Sequence, residues 1–378
     1  MNYSVIVVVV VITALAFDFT NGFHDTANAM ATSIATRALP PKIAVLISGV
    51  LNVVGAFLSV EVAKTISNGL VDEARITPVV IFAGLVGAIL WNLITWLLSL
   101  PSSSSHALFG GLIGATWAAA GTGAINFGAL FSKVILPAIA SPLVAGIIAL
   151  IATYLAYRIT ARVDQSTTSG GFRVGQIVSA SLVSLAHGTS DAQKTMGVIT
   201  LTLITAGALP SSAGPPLWVI LACGLAIGLG TYFGGWRIIQ TLGKRVSDIQ
   251  SPQGFAAEVS SAAVILTSSH MGFALSTTHV ATGSIFGAGA GRRLASVQWG
   301  VAGQMAIAWI VTLPAAAVVG AVAAWAVSDG GTLGTVVVAV VGVGVAAGIY
   351  VASRRRPVNA DNVNDVPSVP EPVAARAA

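Results

Sequence analysis

SSSHALFGGLIGA, residues 103–115, returns as STTHVATGSIFGA at 276–288, and that pairing decides how the rest of the chain is read. Ser104 meets Thr277, Ser105 meets Thr278 and His106 meets His279. Gly110 and Gly114 meet Gly283 and Gly287, a GxxxG spacing in both copies. A second polar stretch precedes each copy. NGFHDTANAM (21–30) aligns with HGTSDAQKTM (187–196), which brings Asn21 to His187, Gly22 to Gly188, Asp25 to Asp191, Asn28 to Lys194 and Met30 to Met196. His279 follows His106 by 173 positions, and Asp191 follows Asp25 by 166. Two motifs recurring in one order at nearly one spacing mark a duplicated unit. Unrelated apolar helices would match at glycines, but not at His and Asp as well.

The duplicated unit is a membrane unit. Of 378 residues, 55% are hydrophobic and 8% charged, whereas a soluble domain carries about 25% charged residues. Continuous apolar runs near 3–17, 43–60, 79–98, 134–157, 217–236, 301–327 and 333–352 suit helical spans. A β-barrel would alternate instead. The 41 glycines fit close helix packing. Cys223 is alone, which excludes an intrachain disulfide or a thiolate metal cluster. The net charge of +5 points to topology, not to nucleic acid. Ala14-Leu15-Ala16 resembles a signal-peptidase site, but Met1–Ser4 lacks a basic residue, so the first segment is read as retained. After Arg354-Arg355-Arg356 the chain turns polar and Pro-bearing, and 357–378 reads as disordered.

Basic residues orient the copies. They follow the first Asp motif, at Arg37 and Lys42, and precede the second, at Arg158, Arg162 and Arg173. Cytoplasmic loops collect Lys and Arg, so the motifs cross in opposite directions and the repeat is inverted. Reading 79–120 and 255–290 as re-entrant hairpins also puts Arg237, Lys244, Arg245, Arg292, Arg293 and the triple arginine inside. The expected architecture is an all-α polytopic membrane protein of two inverted repeats, each with transmembrane helices and a re-entrant helical hairpin. The first repeat is 1–160 with its tip near 101–106, the second is 161–353 with its tip near 274–279, and 354–378 is a disordered cytoplasmic tail. Residues 3–36 are long for one crossing and suggest a broken helix.

Irregular backbone at membrane depth survives only inside protein or along a wet cavity. Tips entering from opposite faces meet at the repeat interface, where transporters built this way hold their substrate. Each tip begins a half-helix, at Ser105 or Thr278, whose free N–H groups and positive dipole end favour an anion. A tetrahedral oxyanion fits hydroxyl donors on two sides. The plainer reading is that Ser and Thr merely cap helices; two matched clusters, each followed by His, favour the site.

Asp25 and Asp191 lie in apolar segments, where a charge costs about 2.5–3.5 kcal/mol and marks function. Asp18 shares the helical face of Asp25. Two carboxylates and a dibasic anion outweigh Lys194, so a cation must accompany the substrate. Asp25, Asn28, Asn21 and Asp191 offer oxygen ligands to Na⁺, and protonation of a carboxylate is the rival solution. Lys194 reads equally as an ion-pair partner of Asp191, three residues earlier. His24, His106, His187 and His279 are packing residues first and proton carriers second.

These motifs closely resemble the inorganic phosphate transporter family, PiT. NGFHDTANAMAT (21–32) stands where that family carries G-A-N-D-V-A-N-A, and HGTSDAQKTMG (187–197) stands where its second copy reads H-G-A-N-D-V-Q-N-A. The resemblance covers roughly 10–350. It implies that Asp25, Asn28 and Asp191 belong to cation sites, and that Ser103, Ser104, Ser105, Ser276, Thr277 and Thr278 hold phosphate. Lys194 departs from the Asn of the sodium-coupled members, and His24 and Ser190 replace the Asn before each Asp. The D-x-Q-K form, which includes Gln193, is similar to the bacterial low-affinity, proton-coupled branch that is thought to take phosphate complexed with a divalent metal. A tethered ammonium at 194 would stand in for one Na⁺.

The resulting expectation is a phosphate importer of the cell (inner) membrane, with its C-terminus cytoplasmic. It works by cation symport, H⁺ favoured over Na⁺, with no cofactor or resident metal, no nucleic-acid partner, and a homodimer by resemblance. Coupling falls to Asp25, Asn28, Asn21, Asp191 and Lys194, with Asp18, His106, His279 and Gln193 as secondary candidates. The alternatives are a Na⁺-coupled phosphate symporter, a carrier of another oxyanion such as sulfate, and an intramembrane hydrolase. The hydrolase is disfavoured because Ser105 and His106 are adjacent and the duplication leaves no unique nucleophile.

Overall fold

Helix follows helix along the computed structural model, which describes residues 3–292 and 297–365. The order is α1 (Tyr3–Ala35), α2 (Pro41–Gly55), α3 (Glu61–Gly69), α4 (Pro78–Leu97), α5 (Ser104–Ala120), α6 (Phe127–Leu130), α7 (Leu136–Ile159), α8 (Gln165–Thr205), α9 (Leu217–Phe233), α10 (Trp236–Gln240), α11 (Ser251–His270), α12 (Thr277–Arg292) and α13 (Trp299–Ser353). A π turn, Phe131–Ile135, joins α6 to α7. Val5–Ala35, Pro78–Leu97, Phe127–Ile159 and Trp299–Ser353 are long and apolar enough to cross a membrane. Gly331, at φ 54°, breaks α13 into two arms. The chain is a multi-pass membrane protein.

The GxxxG pairs sit at matched helix crossings. A Cβ on Gly110 would lie 2.3 Å from the Leu313 carbonyl oxygen, and one on Gly114 2.0 Å from that of Ala317. Across the molecule, Gly283 meets Pro142 at 2.4 Å and Gly287 meets Gly146 at 2.0 Å. Each hairpin's return arm therefore packs on a helix of the other half, α5 on α13 and α12 on α7. The long helices exchange in the same way: Gly22 of α1 abuts the Ile227 carbonyl of α9, and Gly188 of α8 abuts that of Asn52 in α2. Within a bilayer, such close backbone approach supplies the packing that hydrophobic transfer cannot.

The two hairpins turn alike. Ser99 (φ 59°) and Gly272 (φ 69°) both take the left-handed conformation, and Leu100 N and Phe273 N bond back to Thr95 O and Ser268 O. Glycine takes that conformation without strain and serine does not. Thr241 Oγ1 donates to Ser99 O at 3.0 Å, and Thr65 Oγ1 donates to Gly272 O at 3.0 Å, so each turn rests on a short element of the opposite half. Even the isolated bridges pair off, Val71 with Ile125 and Ser247 with Val297. The inverted duplication with two helical hairpins is the architecture observed.

Basic groups gather at one end. Lys244 Nζ donates to Ala35 O, Arg237 donates to Ser353 O and Arg356 O, and Lys42 pairs with Asp361.

Three expectations need correction. The first helix is unbroken from Tyr3 to Ala35, because the polar side chains of 21–28 find partners on other helices and the backbone ladder need not open. The half-helices begin one residue earlier than expected, at Ser104 and Thr277. Nor is the stretch after 354 disordered throughout: Val363 is buried and Asn364 Nδ2 donates to Ile34 O. Arg293 and the rest of that stretch, 366–378, lie outside the described residues.

Candidate functional site

Helix starts shape the tips. Ser103 Oγ accepts from His106 N at 3.1 Å, and Ser276 Oγ accepts from His279 N at 3.2 Å, so both residues serve as N-caps and keep only their own O–H free to donate. The following hydroxyls turn toward the aspartates. Ser104 Oγ donates to Asp25 Oδ1 at 3.0 Å, and from the other tip Thr277 and Thr278 reach Asp25 Oδ2 at 3.3 and 3.4 Å. Thr277 Oγ1 also lies 3.2 Å from Asp191 Oδ2. Both tips and both aspartates thus form one buried cluster.

The remaining candidates divide. Asn28 Nδ2 donates to Thr278 Oγ1 at 3.1 Å, and Asn21 Nδ2 approaches Asp191 Oδ2 at 3.5 Å. Lys194 Nζ lies 2.5 Å from Asp191 Oδ1 and 2.6 Å from Ser105 Oγ. It is therefore both an ion-pair partner and a contact of the tip, which joins the two readings the sequence kept apart. Asp18 is fully buried, with Asn21, Thr195 and Lys194 around its carboxylate. Gln193 does not join the cluster. Its Oε1 accepts from Val62 N and Ala63 N at 2.8 and 3.3 Å, capping the first turn of α3, because its place on α8 faces that helix. His106 and His279 stand behind the tips, ring centroids 4.9 Å apart, with Trp309 stacked on His279 at 4.2 Å.

Two histidines contribute more than the sequence suggested. His24 Nδ1 lies 2.7 Å from Asp25 Oδ1, with its Nε2 held 3.2 Å from Thr95 Oγ1. His187 Nδ1 lies 3.1 Å from Asn52 Oδ1, and its Nε2 faces Asp25 Oδ2 and Asp191 Oδ2 at 3.9 and 3.6 Å. Asp25, His187 and Asp191 each offer a ligand atom within 4.8 Å of the others, a set able to hold a cation.

Sequence reasoning missed Glu258. This buried carboxylate on α11 accepts from Thr32 Oγ1 (2.5 Å) and Ser33 Oγ (2.6 Å) of α1, and from Ser179 Oγ (2.5 Å) and Gln176 Nε2 (3.3 Å) of α8. The available signal was a carboxylate inside a hairpin arm.

A model described as the phosphate transporter family matches residues 21–169 and again 159–320, once for each half. The chain belongs to that family. "Probable low-affinity inorganic phosphate transporter" of Mycobacterium leprae (strain TN) is 57% identical to the transporter over 97% of this chain and 89% of its own length. A protein of the same name from Mycobacterium tuberculosis (strain CDC 1551 / Oshkosh) is 56% identical over 95% and 87%. Another, from Bacillus subtilis (strain 168), is 46% identical over 84% and 96%. A solved structure titled "The sodium-dependent phosphate transporter" superposes with a TM-score of 0.78, covering 86% of this chain and 99% of that one at 23% identity, a likeness of fold. The family is one of transporters, not enzymes.

Proposed function

We propose that the transporter imports inorganic phosphate by proton symport across the cell (inner) membrane, with its basic end and C-terminus cytoplasmic and its halves dividing near residue 160. One observation carries this reading: hydroxyls from both hairpin tips converge on Asp25 while Lys194 ties Asp191 to Ser105. Phosphate would take donors from Ser103, Ser104 and Ser105 on one side and from Ser276, Thr277 and Thr278 on the other, with the free N–H groups of α5 and α12 behind them. Asp25, Asn28, Asn21, Asp191 and Lys194 would couple its movement to a cation, with Asp18 as a further buried carboxylate for a proton. Lys194 already places one positive charge between the motifs, which reduces the need for bound Na⁺ and favours H⁺.

The Asp25–His187–Asp191 set supports a second reading, in which Na⁺ or the metal of a metal–phosphate complex binds beside the anion. Reconstitution into liposomes separates the two. Labelled phosphate should accumulate in Na⁺-free buffer under a pH gradient with the acid side outside, and excess sulfate should not compete. Uptake that strictly needs Na⁺ overturns proton coupling, and stimulation by divalent metal alone would identify a complexed substrate. Chemical cross-linking in the same vesicles tests the expected homodimer.

A further inference from the structure

Two adjoining cavities on the flank of α1, α4 and the second arm of α13 form one amphipathic groove. The first, about 570 Å³, has apolar walls that include Val9, Ile12, Val86, Leu90 and Val343. The second, about 590 Å³, is lined by rings such as Phe23, Trp96, Trp236 and Tyr350, together with Arg237 and Arg354. They share Phe19, Leu93 and Ala346, so a guest can lie across both. No Asp or Glu among the described residues lines either one.

Length and charge both identify the guest. The arm of α13 from Ala339 to its C-cap Arg354 rises about 22 Å at 1.5 Å per residue. One leaflet with its headgroups is about as deep, half of roughly 40–45 Å. Tryptophan and tyrosine ring the second cavity, as they do at membrane interfaces. Arg237 is fixed by bonds to Leu97 O, Ser353 O and Arg356 O and lies 5.8 Å from the Trp96 ring. That leaves part of its five-donor fork uncommitted. Arg354 is exposed at the cavity edge, the first of three consecutive arginines.

We propose that this groove is a site for one anionic phospholipid. An acyl chain lies along Val9, Val86 and Val343, and the headgroup phosphate meets Arg354 and Arg237. Basic pockets between membrane helices recognise anionic headgroups in this way. The site is on the outer side of α1, whose opposite face carries Asp25, so lipid and transported anion do not share ligands.

Native mass spectrometry of the detergent-purified protein, titrated with phosphatidylglycerol or phosphatidylcholine of identical acyl chains, tests the proposal. One phosphatidylglycerol should bind about thirtyfold more tightly than phosphatidylcholine, the scale set by two arginines near a membrane surface. Arg354→Gln should remove most of that preference. Arg355→Gln deletes the same charge but lines neither cavity, and should leave the preference in place. Ala346→Trp fills the neck and should weaken both lipids equally; a phosphate-uptake assay checks that it still folds. Equal binding of the two lipids by the parent protein, or equal losses from the two arginine variants, overturns the site. A dimer that Ala346→Trp dissociates with lipid binding unaltered would assign the groove to a second copy instead.

Discussion

Lys194 Nζ donates to Ser105 Oγ at 2.6 Å and lies 2.5 Å from Asp191 Oδ1, so one ammonium joins the second Asp motif to the first hairpin. The two motifs belong to different halves of the duplication. Any movement of that hairpin relative to α8 must therefore break or carry this contact.

Removing one partner of such a buried pair costs about 3–5 kcal/mol. Lys194→Asn is accordingly expected to cut phosphate uptake at least tenfold in Na⁺-free liposomes, and added Na⁺ should restore part of it. Uptake unchanged without Na⁺ would take Lys194 out of the coupling machinery.

Asp25 gathers Ser104, Thr277, Thr278 and His24, and Asp191 holds Lys194 and Thr277. Asp25→Asn and Asp191→Asn preserve shape while deleting charge. Each should abolish uptake with surface expression intact, read by transport assay beside a blot of the membrane fraction. Normal uptake by either variant removes that residue from the mechanism.

Gly114 and Gly287 face backbone carbonyls at 2.0 Å from an added Cβ, whereas Gly348 has nothing among the described residues within 4 Å. Gly114→Ala and Gly287→Ala should each lower stability by about 1–3 kcal/mol, the range for overpacking, and Gly348→Ala should not. Thermal unfolding in detergent compares them. Three equal melting temperatures would mean that these crossings are not tight.

Glu258 serves four donors from α1 and α8. Glu258→Ala strands those donors, at about 1–3 kcal/mol for each that water does not reach. A fall in Tm of about 5 °C or more is expected, with a smaller one for Glu258→Gln, which keeps an acceptor oxygen. If Glu258→Ala melts like the parent protein, the carboxylate does not tie the three helices together.

Much of the candidate site was legible because its signals are local. Asp25, Asp191 and the two hydroxyl tips interrupt apolar runs, and any polar group at that depth must find partners, so its position alone marked it. Gln193 looked similar, yet it caps α3, and no sequence spacing reveals which helix a side chain on α8 will face. Ser103 and Ser276 sit within the hydroxyl clusters, but backbone geometry also makes their oxygens cap the helix ends, which leaves each only its own O–H to donate. Glu258 was passed over because it recurs in no partner motif.

By itself the sequence determined the membrane class, the inverted duplication and the paired hairpins, since hydropathy, repetition and loop charge are carried by neighbouring residues. Only the tertiary structure decided that α1 runs unbroken, that His24 and His187 attend the aspartates, and that Lys194 reaches the opposite half. Those outcomes depend on contacts between residues far apart in the chain, where helix crossing geometry and side-chain direction choose one partner among several of the same chemistry.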